Sequence, residues 1–271
     1  MEQREIWGEA VGAGWVRHAA EIDAHSAPFG DAARLALGDL SEASVLDVGC
    51  GTGSTTVELV EAGAAAVLGV DLSGPMVAHA EARHHDVNRA RFLEGDVTTL
   101  GAEGPFDAVY SRFGVMFFDD AEVAFAGLRR QTRPGGRLAF CSWSGPFDNP
   151  WMTSAVLASI PVLGPPDLPG PGEPGPFSLS DPDHVRDLLA ASGWRDVAVD
   201  TLSQVAAHPA GGPEPVATML MENVPPLVLG LAQQPGRADE VRALIVAALD
   251  PFVTDGVVHV PASALIVRAT A

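Results

Sequence analysis

Apolar residues in this chain gather in short runs that end in acidic or glycine-rich turns, and between the runs they spread to helical spacing. Val45-Leu46 leads into Asp47 and then Gly49, Gly51 and Gly53, after which Thr55 to Ala62 reads as a helix. A second run, Ala66 to Val70, ends in Asp71, and Pro75 lies near the start of the next helix, where its fixed φ is suited. A third unit, Ala90 to Val97, carries Asp96, and a fourth, Pro105 to Phe113, carries Ser111 and Arg112. The fifth runs from Leu128 through Pro134-Gly135-Gly136 to Phe140. Strands alternating with helices from Val45 to Trp143 predict an α/β fold of right-handed βαβ units around a parallel sheet. Ligands of such sheets bind at the carboxyl ends of the strands. Asp47, Asp71, Asp96 and Ser111 are therefore expected to converge on one edge.

The flanks have a different texture. Glu2 to Leu40 reads as largely helical, punctuated by Trp7, Trp15, Ile22, Phe29, Leu35 and Leu37 and broken by Pro28. After Trp143 a short apolar helix is expected to about Val162, then a Pro/Gly-rich loop over Gly164 to Phe177. Asp181 opens a capped helix to Ala191, ended by Gly193, and Arg195 to Leu202 reads as a strand. Pro213 to Asp250 holds two apolar helices interrupted at Pro225-Pro226 and Gln234-Pro235-Gly236, and Ser263 to Ala269 reads as a closing strand. The expected division is a helical cap, 1–40, and a main domain, 41–271, with lid elements at about 143–180 and 213–250.

The turn after the first strand carries the most chemistry. Glycines let its backbone bend tightly and approach a ligand with no Cβ in the way. Ser54 stands where a dinucleotide fingerprint would have its last glycine. Asp71, about 20 residues on, suits a ribose diol, because a carboxylate accepts two hydroxyl hydrogen bonds at once. For a ligand with an adenine beside that ribose, Leu72 and the polarisable Met76 could flank the ring, Asp96 could accept from its exocyclic amine and a backbone amide at Val97 could address its edge.

These five units, in this order and spacing, resemble the class I S-adenosylmethionine (SAM)-dependent methyltransferases, closely from Val45 to Ser142 and in outline elsewhere. The resemblance implies a Rossmann-like, seven-stranded, mostly parallel sheet with helices on both faces, closed by an antiparallel edge hairpin. It also implies N-terminal helices over the cleft, a helical lid insertion and S-adenosyl-L-methionine as cofactor. The cofactor residues it implies are Trp15, Asp47, Gly49, Gly51, Gly53, Asp71, Leu72, Met76, Asp96, Val97 and Ser111. Ser111 to Phe118, the Pro-Gly-Gly turn and Asn149-Pro150-Trp151 look like the branch that methylates small molecules, including quinones and natural products. An Asn/Asp-Pro-Pro-Tyr tetrad after the fourth strand is missing, which weighs against adenine-N6 or protein-glutamine methylation. Two alternatives share the layout: an NAD-dependent oxidoreductase and a SAM-binding protein without methyl transfer. A Tyr-x-x-x-Lys pair is impossible in a chain with no lysine.

Charge and histidine narrow the partners. The net charge is −19, which repels phosphate backbones and anionic membranes and favours a small-molecule acceptor over nucleic acid or lipid. Cys50 and Cys141 are expected buried and reduced, no His/Cys cluster has metal-ligand spacing, and no apolar run reaches membrane-spanning length, so the expectation is a cytoplasmic protein without metal. Val216 to Leu231 with Trp151, Phe117 and Phe118 suggest an enclosed apolar acceptor site, and an apolar lid also suits a homodimer contact. For acid/base work His18 is the preferred residue, as an imidazole titrates near working pH. His25 and Arg112 stand behind it, Arg112 to orient an acidic or phenolate acceptor.

Overall fold

The computed structural model describes residues 3–8, 10–100, 103–170 and 172–271; the outermost part of the expected cap, 1–2, its residue 9 and residue 171 of the Pro/Gly loop lie outside them. In chain order the elements are α1 (Gln3–Ile6), α2 (Ala10–Arg17), α3 (Ala19–Ala36), β1 (Ser44–Val48), α4 (Ser54–Glu61), β2 (Ala66–Asp71), α5 (Gly74–Arg83) and β3 (Ala90–Glu94). There follow β4 (Phe106–Arg112), α6 (Ala121–Gln131), β5 (Thr132–Trp143), α7 (Pro150–Leu163), α8 (Pro182–Ala191) and β6 (Arg195–Ala207). The chain closes with α9 (Pro213–Asn223), α10 (Pro225–Gln233), α11 (Ala238–Leu249), β7 (Val253–Thr254) and β8 (Val257–Thr270).

The sheet order is β3-β2-β1-β4-β5-β8-β6, with the two-residue β7 paired only to β8. Strands β1 to β5 are mutually parallel, while β8 runs antiparallel to both β5 and β6. Since β6 opposes a strand that opposes β5, β6 runs the same way as β5. Its end at Ala207 therefore reaches the same edge of the sheet as Trp143, and as the ends of β1, β2 and β4. The expected sheet, with its antiparallel edge hairpin, is the one observed.

Successive strand residues face opposite ways, which splits the core in two. Val45, Val67, Ala108 and Cys141 pack on one face against Phe29 and Ala33 of α3, Leu37 just after it, Leu59 of α4 and the helices α7, α9 and α11. Leu46, Leu68, Val109 and Phe140 pack on the other against Phe125 and Leu128 of α6 and Val185 and Leu189 of α8. Asp181 caps α8, accepting from the amides of Asp183 and His184, as its place ahead of the apolar run predicts.

Four expectations need correction. Pro28 does not break the N-terminal helix, and α3 continues through it; burial of Phe29 and Ala33 against the sheet outweighs one missing amide donor. The segment after Pro213 forms three helices instead of two. The closing strands are longer than their apolar cores, β6 by five residues past Leu202 and β8 by six before Ser263, because pairing along the ladder carries polar positions into the sheet. Phe118 leaves the acceptor side, packing on Phe125 in the core of the opposite face. Among the described residues no single helix is long and apolar enough to cross a membrane; α9 and α10 reach that length only together, bent by 80°.

Candidate active site

The glycine turn is shaped differently at each glycine. Gly49 has φ +69°, and a Cβ there would stand 2.7 Å from the Cα of Gly114, so the loops after β1 and β4 meet backbone to backbone. Gly51 also has positive φ, but a Cβ there would meet only the Met76 Sδ, at 3.8 Å; this part of the loop faces open space. At Gly53 a Cβ would collide with Ala80 and Phe92, so this glycine serves helix–sheet packing.

Asp71, at the end of β2, is half-buried and accepts from the amide of Gly51 at 2.8 Å and from that of Ser73 at 2.9 Å. Burial raises its pKa against the pull of those amides. A carboxylate has roughly four lone-pair sites, so sites remain for the hydroxyls of a ribose. Leu72 beside it is half-buried, and Met76 is buried against Trp7 and Val11. Asp96 caps the turn that follows β3, accepting from the amide and the hydroxyl of Thr98 at 2.8 and 2.7 Å.

Asp47 is fully buried. Its Oδ2 accepts from the hydroxyls of Thr55 and Thr56, both at 2.7 Å, while its Oδ1 has no partner. Burial pushes its pKa up to about 6 despite the two hydroxyls. An orphaned buried carboxylate oxygen under a glycine turn is the complement of an ammonium group.

The cleft beside this turn is lined by Trp15, Ala19, Ile22, Asp23 and Ser26 of the cap, by Gly49 to Thr52 and Thr55, and by Arg112 and Phe113. Its free volume is about 40 Å³. Small-molecule sites usually run to roughly 300–1,000 Å³, so the cleft is narrow as it stands beneath the cap. The later part of α3 packs on the sheet through Phe29 and Ala33, with Leu37 just after it, so the cap both covers the cleft and contributes to the core.

Arg112 and Asp23 form a largely buried ion pair between the end of β4 and the cap. Ser54 joins it, donating to Asp23 at 2.7 Å and accepting from Arg112 at 3.1 Å. The hydroxyl at the departure from the dinucleotide fingerprint thus has a task. Burial works against the charge of Arg112, but Asp23 holds the guanidinium protonated. Its Nη1 is buried with no partner.

Two residues expected at the site, Ser111 and His18, face elsewhere. The Ser111 hydroxyl is fully buried, donating to the Val48 carbonyl at 2.7 Å and accepting from the Gly114 amide at 3.1 Å; it knots two loops together instead of lining the cleft. Val97, expected to serve through its backbone amide, packs its side chain in the core. His18 is not among the cleft residues, because its Nε2 turns to Glu222 of α9 at 3.0 Å, beside Arg17 at 2.8 Å. Sequence reasoning missed Asp23, one acidic residue on an amphipathic helix, and Phe113. Phe113 adopts φ +63°, rare for a bulky residue, and stacks on Trp143 at 3.8 Å and 14°. Strain of this kind, about 1–3 kcal/mol, tends to collect at functional sites.

Residues 45–136 match the family model described as a methyltransferase domain. A demethylmenaquinone methyltransferase from Mycolicibacterium paratuberculosis is 34% identical over 193 residues, 67% of this chain and 81% of that protein. A second, from Beutenbergia cavernae, is 34% identical over 187 residues, 64% and 75% of the two chains. A malonyl-[acyl-carrier protein] O-methyltransferase from Xylella fastidiosa is 36% identical over 112 residues, 41% of this chain and 38% of that one. In structure the chain is similar to the YcgJ protein from Bacillus subtilis, with TM-score 0.58 and 16% identity over 91% of this chain and 97% of that one. It is also similar to Haemonchus contortus phosphoethanolamine N-methyltransferase 2 in complex with SAM, with TM-score 0.53 and 17% identity over 98% and 55%.

The chain belongs to the class I SAM-dependent methyltransferase family. It is an enzyme of small-molecule methylation with SAM as methyl donor, which removes the oxidoreductase reading of the shared strand-glycine-helix layout. The residues fit that donor: an orphaned Asp47 oxygen for its ammonium, an open backbone at Gly51, and Asp71 for its ribose.

Proposed function

We propose that this enzyme methylates a planar, largely apolar acceptor bearing an ionisable oxygen, of the phenol or hydroquinone class, in quinone-type or specialised metabolism. The observation that carries this reading is the Phe113–Trp143 stack at the carboxyl ends of β4 and β5, an aromatic wall beside the cleft. The unpartnered Nη1 of Arg112 gives an acceptor oxygen a donor, while Asp23 already balances the arginine charge. That balance favours a phenolic oxygen over a full carboxylate, which would meet no net positive charge. The relatives named for demethylmenaquinone support the same class.

When bound, SAM supplies an electrophilic methyl on a sulfonium. Asp47 takes the ammonium, Asp71 the ribose, and Leu72, Met76 and Asp96 the adenine, with the amide of Val97 at its edge. Trp15 covers this end: its indole donates to the Asn223 carbonyl at 3.3 Å, tying α2 to α9. The chain's further contribution is to hold donor and acceptor in near-attack geometry and to exclude water beneath the cap. The segments 143–180 and 213–250 act as the lid of the one main domain. The acidic surface and the two free buried cysteines support work in the cytoplasm on a small molecule, as a monomer or homodimer, away from nucleic acid and membrane.

The test is a panel of hydroquinones, phenols, carboxylic acids and amines incubated with methyl-labelled SAM. Label in phenolic or quinol products supports the reading, and label confined to carboxylic esters or amines overturns it.

A further inference from the structure

Beside Trp143, whose ring centroid lies 6.2 Å from that of His25, is a cluster of rings with polar atoms that no hydrogen bond within the fold uses. His25 of α3 stacks on His208 with ring centroids 5.3 Å apart, and its ring meets the edge of Trp151 at 4.8 Å. His208 and Trp151 are buried, and Nε2 of His25, Nε2 of His208 and Nε1 of Trp151 all lack a partner. Three unpartnered polar atoms in adjoining rings cost far more than a structural packing role needs.

Their chemistry can be read from the bonds they do make. His208 Nδ1 accepts from the Ala210 amide at 3.2 Å, so in the neutral ring the proton sits on Nε2. The cluster then holds two donors, His208 Nε2–H and the Trp151 indole N–H, beside the His25 ring, which accepts at Nε2 in the tautomer protonated at Nδ1. A hydroxyl is the complement of that set, with one proton to give and two lone pairs to receive. Burial holds both imidazoles neutral, at about 4, aided at His25 by the neighbouring His208. Location agrees. His208 directly follows β6, Trp143 ends β5, and both strands end at the ligand edge. Ser26, next to His25, lines the cleft, and Trp143 stacks on Phe113, which lines it too.

We infer that His25, His208 and Trp151 form the polar end of the acceptor site, with His25 as the general base for the acceptor hydroxyl and the two N–H donors holding its oxygen. The inference rests on the phenol-class reading above and names the residues that serve it. The acceptor O–H bond breaks with its proton passing to His25 Nε2. The freed oxygen pair forms the new bond to the methyl carbon, the pair of the broken methyl–sulfur bond stays on sulfur, and His25 later returns its proton to water.

The experiment compares wild type with His25→Gln, His208→Gln and Trp151→Phe. The first readout is single-turnover methyl transfer to the best phenolic acceptor at saturating SAM. The second, independent of turnover, is the absorbance of 4-nitrophenol bound in the presence of S-adenosylhomocysteine, which distinguishes phenol from phenolate. The expected result is a loss of about 10²–10⁴-fold in the chemical step for His25→Gln, with SAM affinity retained. Trp151→Phe and His208→Gln should lose the bound phenolate band. Rates within tenfold of wild type together with an unchanged band overturn the assignment while leaving the phenol reading intact. If wild type itself methylates no phenol, the phenol reading falls first. Should His208→Gln fail to fold, His25→Gln and Trp151→Phe decide the matter by the same readouts.

Discussion

Glu222 grips His18: its Oε2 lies 3.0 Å from the imidazole Nε2, and the same oxygen takes Arg17 at 2.8 Å. One carboxylate near the end of α9 thus latches the cap at the joint between α2 and α3. Gly14 presses the same contact, since a Cβ there would stand 2.0 Å from the Glu222 carbonyl oxygen. The cleft beneath the cap is closed around 40 Å³, so this latch is expected to slow the passage of ligands.

Loosening the latch is expected to speed cofactor exchange without stopping chemistry. Glu222→Ala and His18→Ala should each raise SAM association and dissociation rates several-fold in stopped-flow fluorescence of Trp15, while the single-turnover step falls by less than about tenfold, short of the loss of a general base. Gly14→Ala should do the same although alanine is the better helix former. A His18→Ala loss of a hundredfold or more in the chemical step would restore His18 as the base.

Asp71 does two jobs, and its removal should show both. Asp71→Ala is expected to weaken SAM binding by about 1.5–3 kcal/mol, the scale of hydrogen bonds to a charged group. It should also lower the melting temperature, since the amides of Gly51 and Ser73 lose their acceptor. Titration calorimetry that returns an unchanged dissociation constant would refute the ribose assignment.

Asp47 makes stability depend on pH in a defined direction. Its pKa rises from 3.8 to about 6 on folding, so the folded chain holds the proton longer than the unfolded one. Its contribution to stability is therefore best below about pH 4 and falls as pH rises through about 6, by on the order of 2–3 kcal/mol. Asp47→Asn keeps an oxygen for Thr55 and Thr56 and abolishes the buried charge. It should melt higher than wild type at pH 8, gain nothing at pH 4, and bind SAM more weakly. Equal melting temperatures at both pH values would contradict this account.

Two glycines of one turn should fail differently. Gly49→Ala is expected to destabilise the fold, because its Cβ meets Gly114 backbone and its φ is positive. Gly51→Val has open space before it and should remain folded, somewhat less stable in scanning calorimetry because of its positive φ, but lose SAM affinity by obstructing the cofactor. Tight SAM binding by Gly51→Val would move the cofactor away from this loop.

The alternation of apolar runs and helices was enough to read the parallel sheet, its order of units and the edge where ligands gather, because strand period, turn glycines and strand-end carboxylates are all local along the chain. Asp71 and the glycine turn were legible for that reason. The catalytic side was not. Which side of α3 looks into the cleft depends on its rotation about its axis, and that is decided by Phe29, Ala33 and Leu37 seating on the sheet, while His18 is drawn aside by Glu222 arriving from about 200 residues away. Asp23 gains its partner only when α3 crosses the end of β4, and His208 meets His25 only because β6 runs parallel to β5 and delivers its last residues to the same edge. Local pattern determined which elements form and where a cofactor can lie. The pairing of distant side chains, which sets charge, burial and protonation at the acceptor end, came from the packing of helices whose sequences carry no mark of their partners.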